Sequence, residues 1–208
     1  MKKIEFILIA VALLCVAVLL TDHWTGVLIA PTGITLLAVF YFMSGFFLFC
    51  GLSFSAVFRN FSYTRHSAQD LLFAAAGGIA VAFLLVGIQS KLMLWSFSDL
   101  LLKYTFMVVA ALCISALIIY KRLTPLLFKR VMLRVGIYTG IGLSVYSISG
   151  PTLIAHYFRN DIEIAQTRHA LWIDPYNDLL EIRLERVISY RENQENGHSR
   201  NDHFRLSP

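Results

Sequence analysis

The residues of this chain that could do chemistry are few, and the histidines come first. His66 and Asp70 stand four apart, so a helix would bring them onto one face, and His169 and Asp174 stand as H-x-x-x-x-D. In either pair the imidazole could take a proton from a substrate hydroxyl while the carboxylate orients it. His198, Asp202 and His203 could chelate a metal, and SISG at 147–150 places a serine before a glycine. Each arrangement also has a plainer reading. Asp174 suits a helix cap, and His156 closes an apolar run, as an interfacial imidazole would. The trio near the C-terminus lies in a stretch too polar to preform a site. No histidine at membrane depth could activate the SISG serine. There is no glycine-rich phosphate loop, no nucleophile elbow and no paired-carboxylate helix, and no cofactor or metal is expected.

The elements that would have to position such groups are unusually apolar. Of the 208 residues, 57% are hydrophobic and only 15% charged, with a mean hydropathy of +0.66, beyond the range of ordinary soluble domains. Charge is uneven as well. Long stretches carry none, whereas residues 159–208 hold seven Arg and nine Asp or Glu. The net charge of +5 could suggest nucleic acid, but the excess sits beside apolar runs, where anionic lipid headgroups are the nearer partner. Nucleic acid is therefore not an expected partner. Cys15, Cys50 and Cys113 all fall inside apolar runs and form no disulfide or metal framework.

Lys121, Arg122, Lys129, Arg130 and Arg134 lie in residues 121–134, KRLTPLLFKRVMLR, which contain no acid and stand between two apolar runs. That pattern predicts a cytoplasmic loop at the membrane surface, meeting lipid headgroups and fixing topology. Within it Thr124 and Pro125 read as an N-cap and first helical residue, so part of the stretch is expected to be an interfacial helix.

Five spans follow from the hydropathy pattern: 1–20, 27–54, 71–88, 104–120 and 135–157. The second is expected to begin near Pro31. Gly77 and Gly78, within AAAGGIA, and Gly136 and Gly140, at GxxxG spacing, predict helix-packing faces, since small residues let helices approach closely in lipid. Gly150-Pro151 should kink or end the fifth helix. The join at 89–102, with Lys91, Trp95 and Asp99, reads as amphipathic.

The chain is thus expected to be an all-α, multi-pass helical integral membrane protein with about five transmembrane helices. Residues 1–158 would form the transmembrane domain, 159–192 a small C-terminal helical hairpin, and 193–208 a disordered end. Nine Lys or Arg flank the spans on one side and four on the other, which predicts a cytoplasmic N-terminus and a translocated tail in a bacterial inner (plasma) membrane. The central portions of the spans carry no ionisable group, which argues against proton coupling and against a buried catalytic base. The reading that remains is a non-catalytic subunit, assembly factor or scaffold, embedded in the bilayer and contacting a membrane-protein partner or a second copy. A small channel or transporter for an apolar or uncharged substrate is the alternative, and a membrane enzyme of lipid metabolism is a more distant one.

Overall fold

The structure, a computed structural model, describes the backbone of residues 2–21, 23–50, 67–159 and 161–190. The described residues are helical and contain no strand. In order they form α1 (Lys2–Thr21), α2 (His23–Cys50), α3 (Ala68–Leu92), α4 (Ser98–Ile119), a single 3-10 turn (Tyr120–Arg122), α5 (Pro125–Ser147), α6 (Gly150–Tyr157) and α7 (Ile162–Ile173). A last helix, α8, covers 178–190. Four of these, α1 to α4, are long and apolar enough to cross a membrane, and α5 with α6 would make a fifth if the two are one broken span. The protein is an all-α, multi-pass membrane protein. Its compact units divide at Ile148, so α1 to α5 form one and α6 to α8 another; α6 therefore groups with the tail helices, not with the helices before it.

Several helix limits differ from those read in the sequence, each for a physical reason. α2 starts at His23 and carries Pro31 inside it. A proline there removes one main-chain bond, a loss that membrane helices tolerate where neighbouring groups re-satisfy the backbone. The amphipathic join read at 89–102 shrinks to residues 93–97, because Lys91 and Asp99 pair at 2.5 Å and both helices can extend up to that pair. Leu94 closes this turn with φ at 57°, in the left-handed region. The basic stretch is not a loop along its length. Only Lys121 to Thr124 lie outside an α-helix, and from Pro125 one continuous helix runs to Ser147. Nothing breaks it, since Leu127, Val131, Val135, Tyr138 and Gly142 recur at helical spacing and bury one side. It stops where Ser149 caps α6 by accepting from the Thr152 amide at 3.2 Å, with Pro151 in the first turn, where its missing N–H costs nothing.

α3 is the central helix of the first unit, packed against α2, α4 and α5, while α1 packs on α2. Its start is held by a capping box. Ser67 Oγ accepts from the Asp70 amide at 3.1 Å, and Asp70 Oδ2 accepts from the Ser67 amide at 3.3 Å. Asp70 also receives the N-cap of α5, accepting from the Thr124 amide at 2.9 Å and from Thr124 Oγ1 at 2.8 Å. One buried carboxylate thereby ties the beginnings of α3 and α5 together. Thr35 Oγ1, midway along α2, donates to Gln89 Oε1 near the C-terminal end of α3 at 3.0 Å.

Candidate functional site

Glu5 is the one acid in α1, set in a helix whose other residues from Ile4 to Leu20 are uncharged. A carboxylate there needs a partner, because leaving it unpaired in a low-dielectric setting is costly. The fold supplies three groups from two other helices. Arg134 of α5 donates to it twice, Nε to Oε1 at 2.6 Å and Nη2 to Oε2 at 2.8 Å, which is the paired geometry that guanidinium and carboxylate favour. Tyr41 of α2 donates its hydroxyl to Glu5 Oε1 at 2.5 Å, and Tyr138 of α5 donates to the Tyr41 hydroxyl at 3.3 Å. The guanidinium also lies 5.5 Å from the centre of the Phe49 ring, and the two tyrosine rings meet edge to face at 5.4 Å.

These four residues close one end of a groove between α1 and α5, about 580 Å³ in volume, with α2 and α3 as its floor. Beyond the polar end the lining is aliphatic and aromatic, with Ile9 and Leu13 on one wall, Ile137 and Ile141 on the other and Leu37 and Leu85 below. Volume and lining both suit a largely apolar ligand with one polar end. The groove lies where α1 and α5 pack mainly on the helices between them, α1 on α2 and α5 on α3, and are joined by the Glu5–Arg134 pair.

The sequence-predicted residues fall into distinct settings. Of the five basic positions, Lys121, Arg122 and Lys129 are exposed and Arg130 is half-buried, while Arg134 is drawn inward to Glu5. Gly78 meets α2 backbone to backbone: a Cβ on it would lie 2.8 Å from the Tyr41 carbonyl oxygen, and one on Gly45 would lie 2.6 Å from the Gly78 Cα. Only glycine fits a crossing that close. At Gly77 the same space is taken by Val131 and Phe49. Around Gly136 and Gly140 nothing among the described residues lies within 4 Å of where a Cβ would be.

Of the paired histidines and acids, His66 lies outside the described residues, as do His198, Asp202 and His203 and the rest of the stretch from 193. His169 is exposed on α7, whereas Asp174 follows the end of that helix and accepts from Asn177 Nδ2 at 3.1 Å. Ser147 donates to the Ser144 carbonyl at 2.7 Å. Among the described residues no three His, Cys, Asp or Glu are placed to hold a metal ion, and the three cysteines are free thiols.

The second unit has its own features. Gly150 packs directly against the Trp172 ring, and a shallow cleft of about 380 Å³ lies between α6 and α7, with Phe158, Arg159 and His169 at its edge. Asp161 caps α7 by accepting from the Ile164 amide at 3.4 Å. Burial lowers the Arg168 guanidinium from its ordinary pKa, and its Nε has no hydrogen-bond partner among the described residues. Arg183 of α8 approaches Glu163 of α7 at 3.6 Å, an exposed pair of little energetic weight.

Glu5, Tyr41, Tyr138 and Gly45 were not singled out in the sequence. For Glu5 a signal was present: a lone acid within an apolar run needs a partner, and Arg134, at the end of the basic stretch that begins the next apolar run, is a natural candidate. Comparison with models of known protein families, with curated proteins and with solved structures finds no match to this chain.

Proposed function

We propose that the protein is a non-catalytic integral membrane protein that works as a subunit, assembly factor or scaffold, through helix-to-helix contacts and contacts of its tail. The observation that carries this reading is the open face of α5. Gly77 and Gly78 have their space filled from within the fold, whereas Gly136 and Gly140 meet nothing within 4 Å, which leaves a small-residue surface for another helix. Its support extends to the buried ionisable groups of the first unit, which serve as braces between helices: Glu5 with Arg134, Lys91 with Asp99, and Asp70 with Thr124. The partner is a membrane protein or a second copy of this chain, in the lipid bilayer. Replacing Gly136 and Gly140 together with Leu should reduce the particle size in mild detergent or abolish co-purification of the partner. Unchanged association would contradict the reading.

The proposal includes an orientation, with the N-terminus and Lys121, Arg122, Lys129 and Arg130 on the cytoplasmic side of a bacterial inner membrane and the tail translocated. It rests on the count of basic residues beside the spans. In a cysteine-free background, a membrane-impermeant thiol reagent applied to intact cells should label a cysteine at position 193 and spare one at 124. Protection of both would place the tail in the cytoplasm. The groove between α1 and α5 favours a second reading, a small transporter or channel for an apolar or uncharged substrate, although Pro31 does not line that groove.

A further inference from the structure

The groove and the charge around its mouth point to a specific occupant, and we propose that it binds one acyl chain of an anionic membrane lipid, with the phosphate of the headgroup held at Arg130. From Glu5 to Val16 the lining of α1 climbs eleven residues, about 16 Å at 1.5 Å per residue. That is roughly half the 30 Å hydrocarbon thickness, the depth a chain from one leaflet reaches. Apart from its polar end, the lining offers nothing that a headgroup or a sugar could bond.

Charge complementarity selects the headgroup. Glu5 is committed to Arg134, and Asp70 to Ser67 and Thr124, so the acids at this end are already engaged. Among the described residues at this end, Lys3 and Lys129 are exposed and Arg130 is half-buried, with Lys121 and Arg122 exposed in the turn just before α5. Arg130 precedes Arg134 by one helical turn, which sets it beyond the polar end of the groove, next to the residues that line it. Gly136 and Gly140 are turned by roughly 100° from Ile137 and Ile141 at 100° per residue, with Leu133, which also lines the groove, about 20° from Gly140. The two assignments are tested by different variants, so failure of one leaves the other standing.

The test uses the full chain in nanodiscs of phosphatidylcholine doped with a phosphatidylglycerol that carries a photoreactive group on its acyl chain, with crosslinked residues mapped by mass spectrometry. The expected result is several-fold heavier labelling of Ile9, Leu13 and Ile137 than of Leu117 and Ile118 on the exposed side of α4. Leu13→Trp and Ile137→Trp, both at exposed positions that tolerate a larger side chain, should abolish the groove labelling and leave that of α4 intact. Arg130→Glu should reduce it several-fold for the phosphatidylglycerol probe and by less for a phosphatidylcholine probe with the same chain, whose choline offsets the phosphate charge. Equal labelling of the groove and α4 would overturn the proposal. So would groove labelling by both probes that ignores Arg130→Glu, and so would a groove shielded from both by a bound polypeptide.

Discussion

The seam between α2 and α3 and the groove between α1 and α5 are both built from long apolar helices, yet one closes until main chains touch and the other stays open. At the first, Gly45 faces Gly78, and the Tyr41 carbonyl occupies the space beside Gly78. At the second, the side chains across the gap are Leu13, Ile137 and Ile141, too bulky for such an approach, and the helices are joined at one end by Glu5 and Arg134. Hydrophobicity alone does not decide between these outcomes, because apolar side chains are as well solvated by lipid tails as by each other. Size at the crossing point decides whether helices close, and an ion pair decides where they are pinned if they do not.

Breaking the pin should have the largest effect. Arg134→Gln leaves the Glu5 carboxylate buried without its cation, and loss of one partner of such a pair costs about 3–5 kcal/mol. Unfolding in mixed micelles, followed by helical circular dichroism, should show a loss of that order. Opening the closed seam comes next. Gly78→Leu drives a side chain into main-chain atoms that cannot step aside, and overpacking of this kind costs about 1–3 kcal/mol or more. The smallest effect belongs to the glycines of α5. A Cβ at Gly136 or Gly140 meets nothing within 4 Å among the described residues, and helix propensity favours Leu there by up to about 1 kcal/mol per site. The same unfolding assay should find that variant no less stable than the wild type, so any change in its association reports on a partner and not on folding. A large destabilisation there would mean that the two glycine pairs do not differ as described.

Much of the fold could be read in the sequence, because the bilayer imposes length and apolarity on each span. The runs that became α1 to α4 stand out by hydropathy, Thr124-Pro125 marks the start of α5, and Gly150-Pro151 marks its end. Local signals failed where pairing over distance took over. Glu5 and Arg134 are 129 positions apart, and no local pattern announces their contact. Lys91 and Asp99 suggested an amphipathic join, whereas their pairing lets α3 and α4 run almost to each other. Gly45 was hidden among the aromatics of FYFMSGFFLFC, since its role depends on which helix lies opposite. The histidine pairs carried the sequence's most explicit chemical hint, and at His169 and Asp174 the fold turns the carboxylate to Asn177.

The central claim is that Glu5 and Arg134 act as one unit that pins α1 to α5. A double-mutant cycle tests it most directly, with unfolding free energies measured for Glu5→Gln, Arg134→Gln and the double variant. Residues in direct contact give coupling energies of about 0.5–3 kcal/mol, and a value in the upper part of that range is the predicted result. Additive effects, within about 0.5 kcal/mol, would mean that the two side chains act independently and that something else holds the mouth of the groove together.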